Sequence, residues 1–307
     1  MKIMPVTNTF DISEYVLINA VVLSPQHYVF LAHKKQSLND ESPMCELIEY
    51  WQGKWTPLAA WAWQAVALVD LPDGADVGVL VLGRDGQVGS WIRGQIHELQ
   101  LDPSRSLGPF RGICRFREFV FAYGMGREVY QRKPNGVWVR CMRGIDDYRP
   151  RLKLGGFNGV AVDLQSRLTA VGMRGEIWLL ENDVWRCVDT PTNIMLRDLV
   201  ADGDGKLYAC GLAGVLLTGC GDTWSMVTYD GPSLDFCAAG WFNGRLYLAD
   251  GHSLRVMNGS TFELVNHGAD SIVPCSAIAT GLDTLLSIAG QEVWESSDGI
   301  SWKIILG

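Results

Sequence analysis

Residues 168–188 read LTAVGMRGEIWLLENDVWRCV, and residues 207–227 read LYACGLAGVLLTGCGDTWSMV. Each stretch contains an apolar run ending in Gly, a tight turn, a second apolar run, a polar turn and a Trp that opens a further run. A similar order occurs in LYLADGHSLRVMNGSTFELV (246–265) and LLSIAGQEVWESSDGISWKII (285–305). Because repetition at a fixed spacing is typical of repeat architectures, the chain is predicted to consist of copies of one unit.

The repeat extends towards the N-terminus. Residues 119–141 and 79–101 fit the same order, and a first copy at 28–58 carries an inserted polar loop at 34–45. The residues that open the run after the polar turn are Trp55, Ile96, Trp138, Trp185, Trp224, Phe262 and Trp302. Their spacing is 38 to 47 residues, which predicts seven units. In most copies this position is aromatic, and such a ring can pack between neighbouring units.

Each unit is preceded by one more apolar run, and these runs are INAVVL, QAVALV, RGICRF, NGVAVD, RDLVAD, CAAGWF and SAIATG. Four short strands in units of about 40 residues are the signature of a β-propeller, and the small, β-branched first run suits the innermost strand. We therefore predict an all-β, seven-bladed β-propeller of four-stranded antiparallel blades, with residues 1–307 as a single domain. The approximate blades are 16–59, 62–101, 109–142, 155–188, 196–228, 235–266 and 274–306.

The repeat motif also resembles a known class. The pattern G-x-x-G-x-(I/V)-(W/Y/L), followed by an Asp-Gly or Asn-Gly turn and Trp, is similar to the Asp-box, or Ycf48-like, repeat of the WD40/YVTN-like propellers. The best matches lie at 172–185, 211–224 and 296–302, and the last contains Ser296, Asp298, Gly299 and Trp302 together. The resemblance implies a propeller and raises two roles, an assembly factor and a sialidase-like hydrolase. In the class, the Asp boxes themselves are structural turns away from the active site.

Charge is unevenly distributed along the chain. The net charge is −8 and the pI is near 5.1, which argues against a dedicated nucleic-acid binder. Residues 103–153, however, contain twelve Arg and Lys against four acids, a local charge of +8. Such polarity suits docking to a partner protein of opposite pattern, or a solvated face without a partner. A nucleic-acid platform rests on this segment alone.

Several features bear on the location of the protein. The first residues lack the basic and apolar regions of a signal peptide, and the apolar run 16–23 is too short to span a membrane. The eight cysteines are scattered singly and no C-x-x-C occurs, which favours free thiols over a disulfide framework. These features predict a bacterial, cytoplasmic protein without a membrane partner.

Motifs for cofactors and metals are not evident. The five histidines stand at no ligand spacing, and DGDGK (202–206) lacks the glutamate that closes a calcium loop, so it is predicted to be a hairpin turn. No G-x-S-x-G, P-loop or dinucleotide fingerprint occurs. The sequence therefore predicts no metal and no cofactor.

The candidate site for a partner lies in loops between second and third strands. Arg84, Arg127 and Arg174 fall at similar places in three consecutive blades and should form one arc. The blade-linking segments 143–154 and 228–235 are assigned to the same face, and the first contributes Asp146, Asp147, Tyr148 and Arg149. Arg and Tyr are favoured in protein interfaces. Trp61, Trp63 and Trp241 could offer rings to a partner or a sugar, or pack at blade junctions.

We predict a non-catalytic scaffold that presents one propeller face to another protein. Two such roles are open: an immunity protein that neutralises a cognate toxin, and an assembly factor. The competing class is a sialidase-like glycoside hydrolase or a carbohydrate-binding propeller. A hydrolase would need two catalytic carboxylates. The sequence shows arginines in plenty, but the sialidase arginine motif near the first blade is not visible.

Overall fold

The computed structural model describes residues 10–40, 43–73, 76–102, 104, 106–148, 155–163, 165–268 and 271–307. The strands in these residues form seven separate four-stranded sheets, all antiparallel between sequence neighbours. The seven sheets are arranged as blades in a ring, so the predicted seven-bladed β-propeller is confirmed.

The strands follow one another blade by blade along the chain. Blades 1 and 2 contain β1 (Tyr15–Ser24), β2 (His27–Lys34), β3 (Cys45–Trp51), β4 (Lys54–Trp61), β5 (Ala65–Asp73), β6 (Asp76–Gly83), β7 (Gln87–Ile92) and β8 (Gln95–Gln100). Blades 3 and 4 contain β9 (Phe110–Phe116), β10 (Phe119–Gly124), β11 (Val129–Arg132), β12 (Trp138–Arg140), β13 (Phe157–Val162), β14 (Leu168–Gly172), β15 (Ile177–Glu181) and β16 (Val184–Val188). Blades 5 to 7 contain β17 (Leu196–Ala201), β18 (Leu207–Gly211), β19 (Leu216–Cys220), β20 (Thr223–Met226), β21 (Ala238–Phe242), β22 (Arg245–Ala249), β23 (Leu254–Asn258), β24 (Thr261–Leu264), β25 (Ala277–Thr280), β26 (Leu285–Ala289), β27 (Glu292–Ser296) and β28 (Lys303–Leu306).

Helical structure is sparse. A four-residue helix, α1 (Ile145–Tyr148), lies between blades 3 and 4. Short 3-10 turns occur at Ile12–Glu14, Lys35–Ser37, Met173–Gly175 and Leu212–Gly214. Across the described part of the chain, no helix has the length and apolar character needed to cross a bilayer.

The strand order gives the ring two distinct ends. Because the four strands of a blade alternate in direction, the loops between second and third strands lie at the same end as the links from one blade to the next. We call this end the loop face. The other end carries the hairpins between first and second and between third and fourth strands, and we call it the hairpin face. The first strand of each blade is innermost and lines the central channel.

The aromatic position of the repeat lies in or just before the outermost strand and packs against the preceding blade. Trp185 is 1% exposed and lies in a cluster with Phe121 and Val129 of blade 3. Trp224 packs against blade 4 in the same way. Blade 2 is the exception, since Ile96 is half exposed. Trp61, Trp63 and Trp91 fill the junction between blades 1 and 2 instead, which explains how the ring tolerates the loss of the aromatic.

The ring closes by packing of the first blade on the last. Tyr15, Leu17 and Tyr28 share one core cluster with Leu286 and Ile288 of blade 7. The Leu17 amide also donates to the carbonyl of Gly290 over 2.7 Å. Each blade is built from consecutive strands, so in the described residues blade 7 takes no strand from the N-terminus. Ile12–Glu14 forms a 3-10 turn before β1, and residues 1–9 lie outside the described part of the chain.

Polar hairpin turns are closed by side chains. In the last blade the Asp298 carboxylate accepts from the amides of Ile300 and Ser301, both over 2.7 Å, and these bonds hold the pKa of Asp298 at about 2. The Asp202 carboxylate accepts from the amides of Asp204 and Lys206 over 2.9 Å, so 202–206 is a hairpin turn as predicted.

Candidate protein-binding site at the channel mouth

The central channel opens on the loop face as a cavity of about 640 Å³. The first strands of all seven blades contribute residues to its wall. The lining residues are Asn19, Val66, Ala67, Leu68, Arg111, Gly112, Ile113, Tyr123, Met125, Asn158, Met173, Met195, Arg197, Asp198, Cys237, Ala238, Ser276, Ala277 and Ile278. Asp198 is the one carboxylate in this lining, as far as the described residues extend.

Bulges in the innermost strands turn polar side chains towards the mouth. In β9 the pairing skips Arg111, in β13 it skips Asn158, and in β17 it skips Arg197. A bulge adds one residue to a strand and changes the direction of its side chain. Arg111 and Arg197 are consequently exposed at the mouth, whereas Asn158 donates from Nδ2 to the Leu196 carbonyl of the next blade over 2.8 Å.

Asp198 lies directly below Arg197 in the channel wall. Its carboxylate accepts from the amide of Leu199 and from the amide of Ala239 in blade 6, both over 2.8 Å. Burial raises the pKa of Asp198 from 3.8 to about 6. The side chain therefore joins two blades and takes up a proton close to neutral pH.

The three arginines of the predicted arc occupy three different loop positions. The amides of Arg84, Met125, Met173 and Leu212 each donate to the carbonyl of the residue just before the first strand of the same blade, which aligns these four residues. Arg84 is therefore at the first position of its loop, Arg174 at the second and Arg127 at the third. Arg84 and Arg174 are exposed, and Arg84 Nη1 contacts Gln64 Oε1 over 3.3 Å.

Arg127 is buried. The prediction that it belongs to an exposed patch is therefore wrong. Its side chain is 5% exposed and its Nε donates to Glu176 Oε2 of blade 4 over 2.5 Å. The guanidinium also lies 5.6 Å from the centre of the Trp178 ring. Glu176 further accepts from the Gly156 amide and from Trp178 Nε1. Arg127 thus binds blade 3 to blade 4 from within.

The third loop position explains this burial. In blades 4 and 5 that position is Gly175 and Gly214, where an added Cβ would lie 2.3 Å from the Thr192 carbonyl oxygen and 2.5 Å from the Tyr229 hydroxyl. A side chain there points into the next blade link. Arg127 fits because Gly155 leaves room, since a Cβ on Gly155 would lie 1.9 Å from Arg127 Nη2.

The three tryptophans do not form an exposed aromatic site. Trp61 and Trp63 are 4% and 7% exposed, stack on each other and pack between blades 1 and 2. Trp63 Nε1 donates to Glu98 over 3.0 Å. Trp241 is half-buried, stacks on Tyr208 and lies towards the hairpin face at the end of β21. The structure supports the packing interpretation for Trp61 and Trp63.

The first part of the link between blades 3 and 4, residues 141–148, runs along the outer edge of blade 4. The Trp185 amide in outermost strand β16 donates to the Arg143 carbonyl over 2.8 Å, and Ile145 is buried in the same cluster. Asp146 in α1 is paired with Arg140 over 3.3 Å and is separated from the mouth. Asp147 and Tyr148 belong to α1, but their side chains, like all of Arg149, lie outside the described residues.

Segment 228–235 behaves similarly and reaches the loop face only at its end. The Asp230 amide donates to the Ser260 carbonyl at the outer edge of blade 6. Asp235 then caps the loop of blade 5 by accepting from the Ala213 amide over 2.8 Å. The prediction that both links belong to the loop face is therefore wrong for their first parts.

The mouth residues that sequence reasoning missed are Arg111 and Arg197. The signal was present, because an Arg opens the innermost runs RGICRF and RDLVAD, which are otherwise largely apolar. The bulges that expose these side chains were not visible in the pattern. Asp85 in the loop of blade 2 and Asp189 after β16 are also exposed on the loop face, so the exposed charge of this face is mixed. Among the described residues there is no cluster of three His, Cys, Asp or Glu that could hold a metal.

Comparison with known proteins places this geometry in context. No family model matches the chain. Among solved structures, the WD40 propeller of Doa1 covers 95% of this chain and 93% of its own at a TM-score of 0.65 and 11% identity. Ycf48 bound to a D1 peptide covers 92% and 91% at a TM-score of 0.65 and 14% identity. Ycf48 from Cyanidioschyzon merolae covers 95% and 96% at a TM-score of 0.58 and 14% identity.

These structures confirm the resemblance to WD40 and Ycf48 propellers in fold. A closer relation appears in sequence. The immune protein Tsi7 of Pseudomonas aeruginosa is 31% identical over 230 residues, which cover 74% of this chain and 75% of that protein. The chain described here belongs to the family of the immune protein Tsi7.

Proposed function

We propose that the chain is an immunity protein that neutralises a cognate toxin by holding it on the loop face at the channel mouth. The observation that carries this proposal is the 31% identity to an immune protein over three-quarters of both chains. No catalytic step is required of such a protein, since binding alone can block a toxin's active site or its access to a target.

The chemistry of the mouth suits a protein partner. Arg84, Arg111, Arg174 and Arg197 are exposed there, and Met125, Met173 and Met195 line the cavity between them. Arg and Met are enriched in protein interfaces because they combine apolar area with adaptable or bidentate contacts. A cavity of about 640 Å³ has room for a protruding loop of a partner.

The rigid surroundings also favour binding. In blades 2 to 5 the backbone of the second-to-third loop is tied by a hydrogen bond to the residue before the first strand of the same blade, so this part of the mouth does not need to be ordered when the partner arrives. Preorganisation lowers the entropy cost of association.

Neutralisation is favoured over the other two roles. The assembly-factor role rests on Ycf48, which shares 14% identity, whereas the immune protein shares 31%. The glycosidase alternative finds one carboxylate in the described channel lining and gains no support there.

Eight unpaired cysteines support a reducing compartment, so we propose that the protein acts in the cytoplasm.

The proposal is tested by co-expressing the chain with candidate toxin domains taken from the reading frames that neighbour its gene. Wild type should restore growth and co-purify with the toxin in a fixed ratio. The double variant Arg84→Glu/Arg174→Glu should lose both properties. The matched control Lys54→Glu/Arg245→Glu changes two exposed cations on the hairpin face by the same charge and should behave as wild type. Failure of wild type to bind or protect would refute the proposal.

A further inference from the structure

A second concave surface lies on the hairpin face, between blades 2 and 3. It encloses about 240 Å³ and is lined by Leu71, Ile92, Arg115, Arg117, Glu118, Arg132 and Pro134. Three of these seven residues carry a guanidinium and one carries a carboxylate. We call this surface the arginine groove. It lies at the opposite end of the ring from the channel mouth, because its residues lie near the ends of first and third strands or in the hairpins after β9 and β11.

Two of the guanidiniums are held in position by neighbouring side chains. Arg115 Nη2 lies 2.8 Å from Asp70 of blade 2, so this ion pair joins the two blades beside the groove. The Arg117 guanidinium stacks on Phe116 with its carbon 5.0 Å from the ring centre. A guanidinium has five N–H donors, and stacking on a ring does not consume them.

The shape of the groove limits what can enter. Its volume is below the 300–1,000 Å³ typical of small-molecule pockets, and Leu71, Ile92 and Pro134 supply apolar walls. One carboxylate side chain with an adjacent apolar residue fits this combination. Arg offers carboxylates a bidentate geometry that Lys does not.

We infer that the arginine groove binds an acidic segment of a partner protein, through a Glu or Asp side chain flanked by apolar residues. A polynucleotide is less suitable, because the protein carries a net charge of −8 that repels a long polyanion. This inference is independent of toxin neutralisation at the channel mouth, since it concerns the other end of the ring and a separate set of residues.

The test uses the full chain and a fluorescein-labelled peptide, Gly-Leu-Glu-Glu-Leu-Gly, with a Gln-for-Glu peptide as the uncharged control. Fluorescence anisotropy should show at least about tenfold tighter binding of the acidic peptide. Arg117→Glu should weaken it by about tenfold or more, with Arg117→Gln intermediate. Arg245→Glu, at another exposed arginine of the hairpin face, should leave it unchanged.

Glu118→Gln provides a test in the opposite direction. It removes the groove's own carboxylate and should tighten binding of the acidic peptide by a few-fold, a gain that misfolding cannot produce. Equal binding of both peptides by wild type, or no effect of Arg117→Glu, would overturn the inference. Tighter binding of a ten-residue oligothymidine than of the peptide would overturn it in favour of nucleic acid. Toxin binding would be unaffected by these outcomes.

Discussion

The second-to-third loops of blades 3 and 4 contain almost the same residues but use their arginines in different ways. The loop of blade 3 reads GMGRE (124–128) and that of blade 4 reads GMRGE (172–176). Arg127 at the third position is 5% exposed and paired with Glu176, whereas Arg174 at the second position is exposed at the mouth. The difference shows that a shift of one residue in a tight turn separates an arginine that joins blades from one that is available to a partner.

Both positions have left-handed backbone conformations, with φ of 56° at Arg127 and 60° at Arg174. This conformation is costly for residues with a Cβ. At Arg127 the cost is offset by the buried ion pair. At Arg174 no hydrogen bond or ion pair of the side chain with another described residue offsets it, and Ala213 has the same conformation at the equivalent position of blade 5.

The largest effect is expected from breaking the buried pair. Arg127→Leu leaves the Glu176 carboxylate buried beside Trp178 without its cation, and should lower the free energy of unfolding by about 3–5 kcal/mol. Arg174→Leu should change it by less than about 0.5 kcal/mol. Urea denaturation of both variants measures the difference, and equal effects would refute the distinction between the two loops.

Charge reversal at the mouth should give the next largest effect, on binding. Arg111→Glu/Arg197→Glu should weaken toxin binding by about 100-fold, because two interface cations become repulsive. Isothermal titration calorimetry measures the affinity, with Lys54→Glu/Arg245→Glu as control. Unfolding in urea should be unaffected in all these variants, and an affinity within threefold of wild type would remove Arg111 and Arg197 from the site.

The pH dependence of stability sharpens the role of Asp198. Its pKa is raised to about 6, so the folded chain binds more protons than the unfolded chain between pH about 4 and 6. Its stabilising contribution is complete below this window and is lost as the pH rises through about 6. We expect Asp198→Asn to remove this pH-dependent contribution to the free energy of unfolding. Its size is on the order of 1 kcal/mol, because water in the channel weakens the effect of burial.

Thermal unfolding of wild type and Asp198→Asn between pH about 4 and 7 measures this contribution as the difference between the two curves. As the pH rises, wild type should lose stability relative to the Asp198→Asn variant. Parallel curves would show that the carboxyl is not perturbed.

The smallest effect concerns backbone strain at Arg174. Arg174→Gly should raise the free energy of unfolding by up to about 1 kcal/mol while weakening the partner interaction. Ala213→Gly alters the equivalent position of blade 5, where φ is 51°, and should stabilise without affecting binding. A destabilised Arg174→Gly would mean that the arginine side chain makes a structural contact in the free protein.

The fold could be predicted from sequence because each blade repeats the same polar turn and outer aromatic, and these determine the local hairpins and the packing between blades. The exception at Ile96 could not be explained from the sequence, because Trp61 reaches that junction from the end of β4 and Trp63 from the link that follows. Their burial depends on contacts between blades that have no fixed spacing.

The site was predicted less well for a similar reason. The loops containing Arg84 and Arg174 were identified correctly as loops, but the side-chain direction at each loop position depends on hydrogen bonds to the same blade and on packing against the next blade link. The bulges that expose Arg111 and Arg197 add one residue to a strand without any distinctive residue type. The path of 141–148 along β16 likewise reflects packing of Met142 and Ile145 on blade 4.

The central claim, that the loop face holds the toxin, is tested most directly by hydrogen–deuterium exchange of the chain with and without the toxin domain. The account predicts protection in the loops 83–86, 124–128 and 172–176 and in the segment 189–197, which surround the channel mouth. Protection confined to the hairpin turns, such as 163–167 and 202–206, with an unchanged channel mouth would contradict it.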